Sequence, residues 1–358
     1  MRIAIYLSLK INKILSHLKK QNASSWLGLV LLTLVVSACA GVAVTPVNKA
    51  AVTLPIPTQV PSPTPTPTPL TFSGERALAD AARQLAAGPR TVGSQAHQEI
   101  GDWIAVEAEK AGWQVEFQET TFQGQPVRNI IAKWGQGEPW IVLGAHYDSR
   151  LAADQDIDPL KQSQAVLGAN DGASGVAVLL DLARTLPGQL GSPASGALAG
   201  DDLPRAQQIW LVFFDSEDNG RLPGWDWILG SRAFVADLPN QADSRTPAAA
   251  VIIDMIGDKD LNIPFEQSSD QRLNQEIWAA AAAAGYAGQF LSQPGLNILD
   301  DHTPFLEAGI PAADLIDFDY PYRHTTADTL DKISAESLQA VGDTLTAWLK
   351  SGSSVFIK

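Results

Sequence analysis

The stretch PWIVLGAHYD, residues 139–148, is almost continuously apolar as far as Ala145 and then turns polar at His146. An unbroken apolar run of this length is the pattern of a strand buried on both faces, as in a parallel sheet covered by helices. IWLVFFD (209–215) and AAAVIIDMIG (248–257) repeat it, and AADLIDFD (312–319) reads as a fourth such strand. NIIAKW (129–134) is a further strand, and WQVEFQETTF (113–122) alternates with period two. Between them, GERALADAARQLAA (74–87), HQEIGDWIAVEAEKAGW (97–113) and ASGVAVLLDLARTL (173–186) carry apolar residues at helical spacing, as do residues 271–285 and 335–350. A Gly/Ser/Ala/Pro loop is expected from Pro187 to Pro204. Apolar strands separated by amphipathic helices predict an α/β fold: one domain with a mostly parallel central sheet flanked by helices, three layers in all.

The chain has 358 residues, 45% of them hydrophobic and 18% charged, enough apolar content for a large core. The net charge of −14 is uneven: Arg2, Lys10, Lys13, Lys19 and Lys20 are unopposed by any acid before residue 39, so the remainder carries −19. So acidic a body argues against nucleic-acid binding, which depends on neutralising phosphates with Lys and Arg. GxGxxG and GxxxxGK[ST] are both absent, which removes the usual nucleotide-binding loops. Cys39 is the single cysteine, so no intrachain disulfide and no thiolate metal module can form.

That cysteine sits at the end of an address. A basic segment leads into WLGLVLLTLVV (Trp26–Val36) and then Ser37-Ala38-Cys39. The apolar run falls short of the roughly 20 residues that span a bilayer, and small residues after it are those of a secretory signal. VSAC resembles a bacterial lipobox, which implies a signal peptide over residues 1–38 and lipidation of Cys39. Residues 39–71 include PSPTPTPTP, a stiff extended spacer that cannot pack a core. The folded domain is expected over residues 72–358, held outside the cytoplasm and anchored to the cell membrane by lipid. Nothing in the sequence speaks to oligomeric state.

Open α/β sheets bind ligands beyond the carboxyl ends of their strands, and that is where the polar residues fall. The strand at 140–146 ends in His146-Tyr147-Asp148, and IWLVFF ends in Asp215-Ser216-Glu217-Asp218. AAAVII ends in Asp254, the helix from Ala173 follows Asn170-Asp171-Gly172, and AADLIDFD leads to Arg323-His324. Singly these are ordinary turn and cap signals. Together they place two imidazoles and several carboxylates along one sheet edge, a zinc donor set without thiolates. Such crowded carboxylates are costly unless a cation neutralises them.

GAHYDSR, GANDGASGVAVLLDLAR, VFFDSEDNG, VIIDMIGD, DDHTPF and HTTADT, in this order, resemble the co-catalytic zinc aminopeptidases and the related glutaminyl cyclases, from about Ala77 to Leu349. The resemblance implies a zinc-exopeptidase-like fold in which His146 and Asp254 hold one zinc, Asp218 and His324 the other, and Asp171 bridges both. It further implies Glu217 as general base, Asp148 orienting His146, and a cis bond after Asp171. Asp218 departs from the family, which usually has Glu there; the shorter side chain has about 1.5 Å less reach toward a metal that must sit about 2.0–2.2 Å from its oxygens.

Two reactions share this scaffold. The aminopeptidase reading, ranked first, takes two zincs and removes N-terminal residues of peptides with metal-activated water and Glu217. The glutaminyl-peptide cyclotransferase reading takes one zinc and forms N-terminal pyroglutamate with loss of ammonia. NDGASG favours the first; HYDSR, IIDMIG and the Asp300-Asp301-His302 triplet favour the second, with Asp300 joining Glu217 and Asp254 in a proton network. A substrate pocket is expected from Trp225, Trp227, His302 and Arg323. Arg323 stands where cyclases carry Trp, and an Arg there could clamp a substrate carboxylate. A third reading is a receptor-like member without activity, against which stands a plausible residue at every position carried over.

Overall fold

A computed structural model describes residues 69–191, 205–240 and 246–356. The signal segment, Cys39 and most of the Pro/Thr-rich spacer lie outside the described residues. Within them, a six-stranded sheet has the order β1-β2-β4-β3-β5-β8. Its members are β1 (Gln114–Phe122), β2 (Gln125–Gly135), β3 (Trp140–His146), β4 (Gln208–Phe214), β5 (Ala249–Asp254) and β8 (Ala312–Ile316). β4, β3, β5 and β8 run parallel, and the β1–β2 hairpin joins antiparallel at one edge. The mixed α/β fold with a mostly parallel sheet is therefore as the apolar runs predict. A short parallel pair, β6 (Ile263–Phe265) with β7 (Phe290–Pro294), was not foreseen.

Each central strand feeds two cores by alternation. Ile141, Leu143 and Ala145 face one apolar cluster with Ile209, Leu211, Phe213, Val251 and Ile253. Trp140 and Val142 face the other with Trp210, Val212, Phe214 and Ile252. All are 6% exposed or less, so truncating one such side chain to Ala would cost about 2–5 kcal/mol. The first cluster is covered by α1 (Gly74–Ala86), α2 (Gln95–Lys110), α3 (Ala173–Leu190), α5 (Gln271–Ala284) and α7 (Ala335–Ser351). The second lies under α4 (Leu229–Asp237) and α6 (Thr303–Glu307). Helices on both faces make three layers.

α1, α2, α5 and α7 begin on Ser73, Ser94, Asp270 and Ser334, whose side chains accept from the first turn as caps should. α3 does not: its cap is Gly172 at φ 97°, with no side-chain cap bond, so the Asp171 carboxylate is left free. α3 also continues to Leu190 through Pro187, where the sequence predicts a loop. Proline at that position cannot donate to the Ala183 carbonyl. Trp113 supplies the missing donor, its Nε1 lying 2.8 Å from Ala183 O.

Candidate metal centre

The carboxyl ends of β3, β4, β5 and β8 converge with the start of α3 on one cavity of about 280 Å³. His146 ends β3 and Asp254 ends β5; these strands pair directly, with Gly144 opposite Ile252. Continuing that register brings His146 Nε2 to 3.2 Å from Asp254 Oδ1. Asp171 reaches in from the α3 turn, with Oδ1 at 3.1 Å from the same nitrogen. Its other oxygen lies 3.6 Å from His324 Nε2, which is 2.8 Å from Asp218 Oδ1. The result is two three-residue donor groups, His146-Asp171-Asp254 and Asp171-Asp218-His324, sharing one carboxylate. The five residues singled out from the sequence meet at one place, all buried.

Asp171 is held by its backbone rather than its side chain. Asp328 accepts from the N–H of Asn170 at 2.9 Å and of Asp171 at 3.2 Å. Asn170 in turn ties to Met255 O and Gly257 N, stitching the α3 turn to the loop after Asp254. The Asp171–Gly172 bond is trans, not cis as the resemblance implies; the cis bond among the described residues is Glu138–Pro139. Gly172 turns the chain instead through its positive φ, and a Cβ there would sit 2.9 Å from the His146 ring.

Asp148 spends its oxygens on the N–H groups of Glu217 (3.1 Å) and Asp218 (3.3 Å), and one lies 3.5 Å from His146 Nδ1. It thus fixes the loop that carries Glu217 while facing the ring it was expected to orient. That loop turns at Ser216, φ 55°, and its carbonyls at Ser216 and Glu217 accept from Leu229 and Ile228 at the start of α4. Left-handed backbone at a non-glycine residue is uncommon and costs of order 1–3 kcal/mol. Met255 (φ 49°), His324 (φ 57°) and Arg221 (φ 64°) share it, so four strained residues flank the cavity.

The electrostatics call for a cation. Burial pushes Glu217 well above the usual carboxylate range, with Asp218, Asp300 and Asp301 adding and His146 opposing. Burial raises Asp218 as well, and Asp254 to about 7. Asp171 behaves oppositely: burial works against its charge, but His146 and His324 prevail and hold it at about 2. The buried Oδ2 atoms of Asp171 and Asp218 accept no hydrogen bond. Imidazole nitrogens and orphaned carboxylate oxygens, without thiolates, are donors that suit Zn²⁺. The shorter Asp218 still reaches the cluster, because Arg150 pins its backbone: Nη1 donates to Asp218 O at 2.8 Å.

The pocket expected from sequence is half right in placement. Trp227 lines the cavity, its ring stacked 5.8 Å from that of His324, against Gly220, where any Cβ would overlap the indole. Arg323 also lines it. Trp225 does not; both Trps precede α4, and Trp225 packs on Val127, Leu229 and Ala233. His302 is 0% exposed and lies behind the wall, 3.0 Å from Ser268 Oγ and 3.2 Å from Glu266 Oε2. Its other nitrogen is 3.6 Å from Asp314, a buried carboxylate that desolvation and neighbouring Asp300 push well up. Asp300 itself does line the cavity.

Sequence reading missed Gln155, whose amide lies 2.9 Å from His324 Nδ1, and Arg150, paired with Asp154 through two bonds of 2.7 and 2.9 Å. It also missed Asp328 and the buried Arg90, which donates to the Tyr147, Leu167 and Gly168 carbonyls. Arg150 and Asp328 sit inside the HYDSR and HTTADT motifs, a signal that was available; Gln155 lies in a loop without one.

Residues 129–349 match the model of peptidase family M28. The chain belongs to this family. Among its relatives, the aminopeptidase YwaD of Bacillus subtilis (strain 168) is 30% identical over 223 residues, 58% of this chain and 40% of that protein. The chain therefore spans well under half the length of YwaD. The glutaminyl-peptide cyclotransferase of Gloydius blomhoffii is 28% identical over 265 residues, 65% of this chain and 69% of that protein. The crystal structure of Porphyromonas gingivalis glutaminyl cyclase superimposes with a TM-score of 0.68 at 33% identity, covering 78% of this chain and 98% of that one. This M28 chain thus belongs to a zinc-dependent family whose relatives include both an aminopeptidase and glutaminyl cyclases, and it has residues suited to hold the metal.

Proposed function

We propose that this M28 protein is a glutaminyl-peptide cyclotransferase, closing an N-terminal Gln onto its own amine. The observation that carries this is Asp300, which faces the cavity beside Glu217 and Asp254 and is backed by the buried Asp314. In cyclisation the α-amine attacks the side-chain amide carbon, the carbon–nitrogen bond to the amide breaks, and ammonia departs. One proton must pass from the attacking nitrogen to the leaving one. Zinc, when bound by His324, Asp218 and Asp171, would polarise the amide carbonyl. Glu217, its proton affinity raised by burial, accepts the amine's proton and delivers it to the leaving nitrogen. Asp300 stands in the same wall, and its nearby charge adds to the burial that raises the proton affinity of Glu217. Trp227 gives the substrate's aliphatic stem an apolar face.

The second reading, ranked first from sequence, is a zinc exopeptidase that removes N-terminal residues. Both donor groups are complete around Asp171, which favours two metals and hydrolysis. One experiment separates them: incubation of the zinc-loaded protein with an N-terminal-Gln peptide, followed by mass spectrometry. Loss of ammonia from an otherwise intact peptide supports cyclisation. Release of a free residue overturns it in favour of the exopeptidase, and an unchanged peptide argues for a receptor-like member. We further propose that peptides reach the enzyme outside the cytoplasm, where the lipidated Cys39 would tether it to the cell membrane. Replacing Cys39 by Ser should release the protein from the membrane fraction.

A further inference from the structure

We infer that Arg323 and Arg221 form a carboxylate-binding rim, selecting peptides that carry a negative charge just beyond the reacting residue. The inference rests on the reading of the cavity as a site for peptide N-termini. Both side chains line that cavity. Arg323 is half-buried, with its guanidinium 4.4 Å from the centre of the Phe318 ring, so its plane is set by stacking and its edge is left for a ligand. Arg221 is exposed at φ 64°.

What separates these two from Arg150, the third arginine of the cavity, is the absence of a hydrogen-bonding or ion-pairing partner. Arg76, Arg128 and Arg184 each hold a carboxylate, Arg90 holds three carbonyls, and Arg150 in the same cavity holds Asp154. Among the described residues, Arg221 and Arg323 make neither a hydrogen bond nor an ion pair. In a chain with 39 acids against 25 bases, cations without carboxylates are not explained by a shortage of partners.

A free amino terminus is drawn to the acidic floor, and each extended residue advances about 3.5 Å toward the mouth. Arg323 directly precedes His324, so its guanidinium meets the first residues of the substrate rather than a distant segment. The chemistry recognised is a carboxylate, from either the free C-terminus of a dipeptide or an Asp or Glu side chain at the second position. Planar guanidinium matches it through paired N–H donors.

The test compares Gln-Ala with a free carboxylate, the same dipeptide amidated, and Gln-Glu amidated. Turnover is read by mass spectrometry on the zinc-loaded protein, and affinity by calorimetry on its Glu217→Gln form. Either charged peptide is expected to bind about tenfold or more tighter than the neutral amide. Preference for the dipeptide acid alone, or for the Glu side chain alone, identifies the source of the carboxylate. Arg323→Ala should abolish the preference, raising KM for the charged peptides more than for the neutral amide, and Arg323→Lys should restore part of it. Arg221→Asn, chosen because Asn tolerates left-handed backbone, should weaken it by a smaller factor. Equal affinity for all three peptides overturns the rim, as does an equal loss for charged and neutral peptides in Arg323→Ala. Charge-selective binding without turnover of any peptide supports the rim while removing the catalytic reading.

Discussion

The two donor groups share Asp171 yet are held by different means. His146 and Asp254 end neighbouring parallel strands, so the sheet's own hydrogen bonds fix their separation. Asp218 and His324 stand on loops, and side chains fix them: Arg150 and Asp148 for the first, Gln155 for the second. The strand-borne half is set by backbone register and tolerates little change. The loop-borne half depends on partners that can be altered one at a time, and it accepts an Asp where the resemblance implies Glu. Metal affinity and substrate geometry can therefore be tuned on one side without disturbing the sheet.

The shared carboxylate is where this comparison breaks most readily. Asp171→Asn removes a ligand from both halves, so zinc content should fall to below about a tenth of the unsubstituted protein, with activity lost. Retention of one tightly held ion, seen by elemental analysis after dialysis, would show that Asp171 serves a single half. Glu217→Gln leaves both halves intact; turnover should drop about 10²–10⁴-fold while metal content stays constant. Activity within a few-fold of normal would remove Glu217 from the proton-transfer role.

Gln155→Ala sharpens the contrast, since it loosens only His324. Affinity for one ion should weaken about 10-fold, the lower end for a residue that orients a ligand, with any second ion unchanged. An equal loss at both halves, measured by competition with a chelator, would contradict the division. The smallest effect belongs to the strand half without metal. Burial holds Asp254 at about 7 against an ordinary 3.8, so the folded state binds its proton more tightly than the unfolded chain does. Metal-free protein therefore loses stability as pH rises from about 4 to about 7, and the loss persists above. Metal-free Asp254→Asn should melt about 5 °C higher than the unsubstituted protein at pH 8 and no higher at pH 4. The same gain at both pH values would assign the effect to something other than this carboxylate.

The central strands were legible because an apolar run has only a few ways to be buried, and the polar residue at its end marks the ligand edge. WIVLGAH, IWLVFF and AAVIID announced both. The α3 extension past Pro187 was not legible, since the donor replacing the lost N–H is Trp113, far away in sequence. His302 reads like a pocket residue in DDHTPF, but its 0% exposure depends on how α6 packs behind β8. Trp225 and Trp227 are two residues apart and look alike in sequence, yet Trp227 lines the cavity while Trp225 packs on Val127, Leu229 and Ala233.

By itself, then, the sequence determined the layered α/β plan and pointed to the five candidate donors that meet at one place, because burial patterns and donor chemistry are written in residue type. The tertiary structure decided which oxygen of Asp171 faces which histidine, and that Arg150, Asp328 and Gln155 support the loops. It also decided that Arg221 and Arg323 stand without partners. Those are facts of distance between segments remote along the chain, and residue type alone does not fix them.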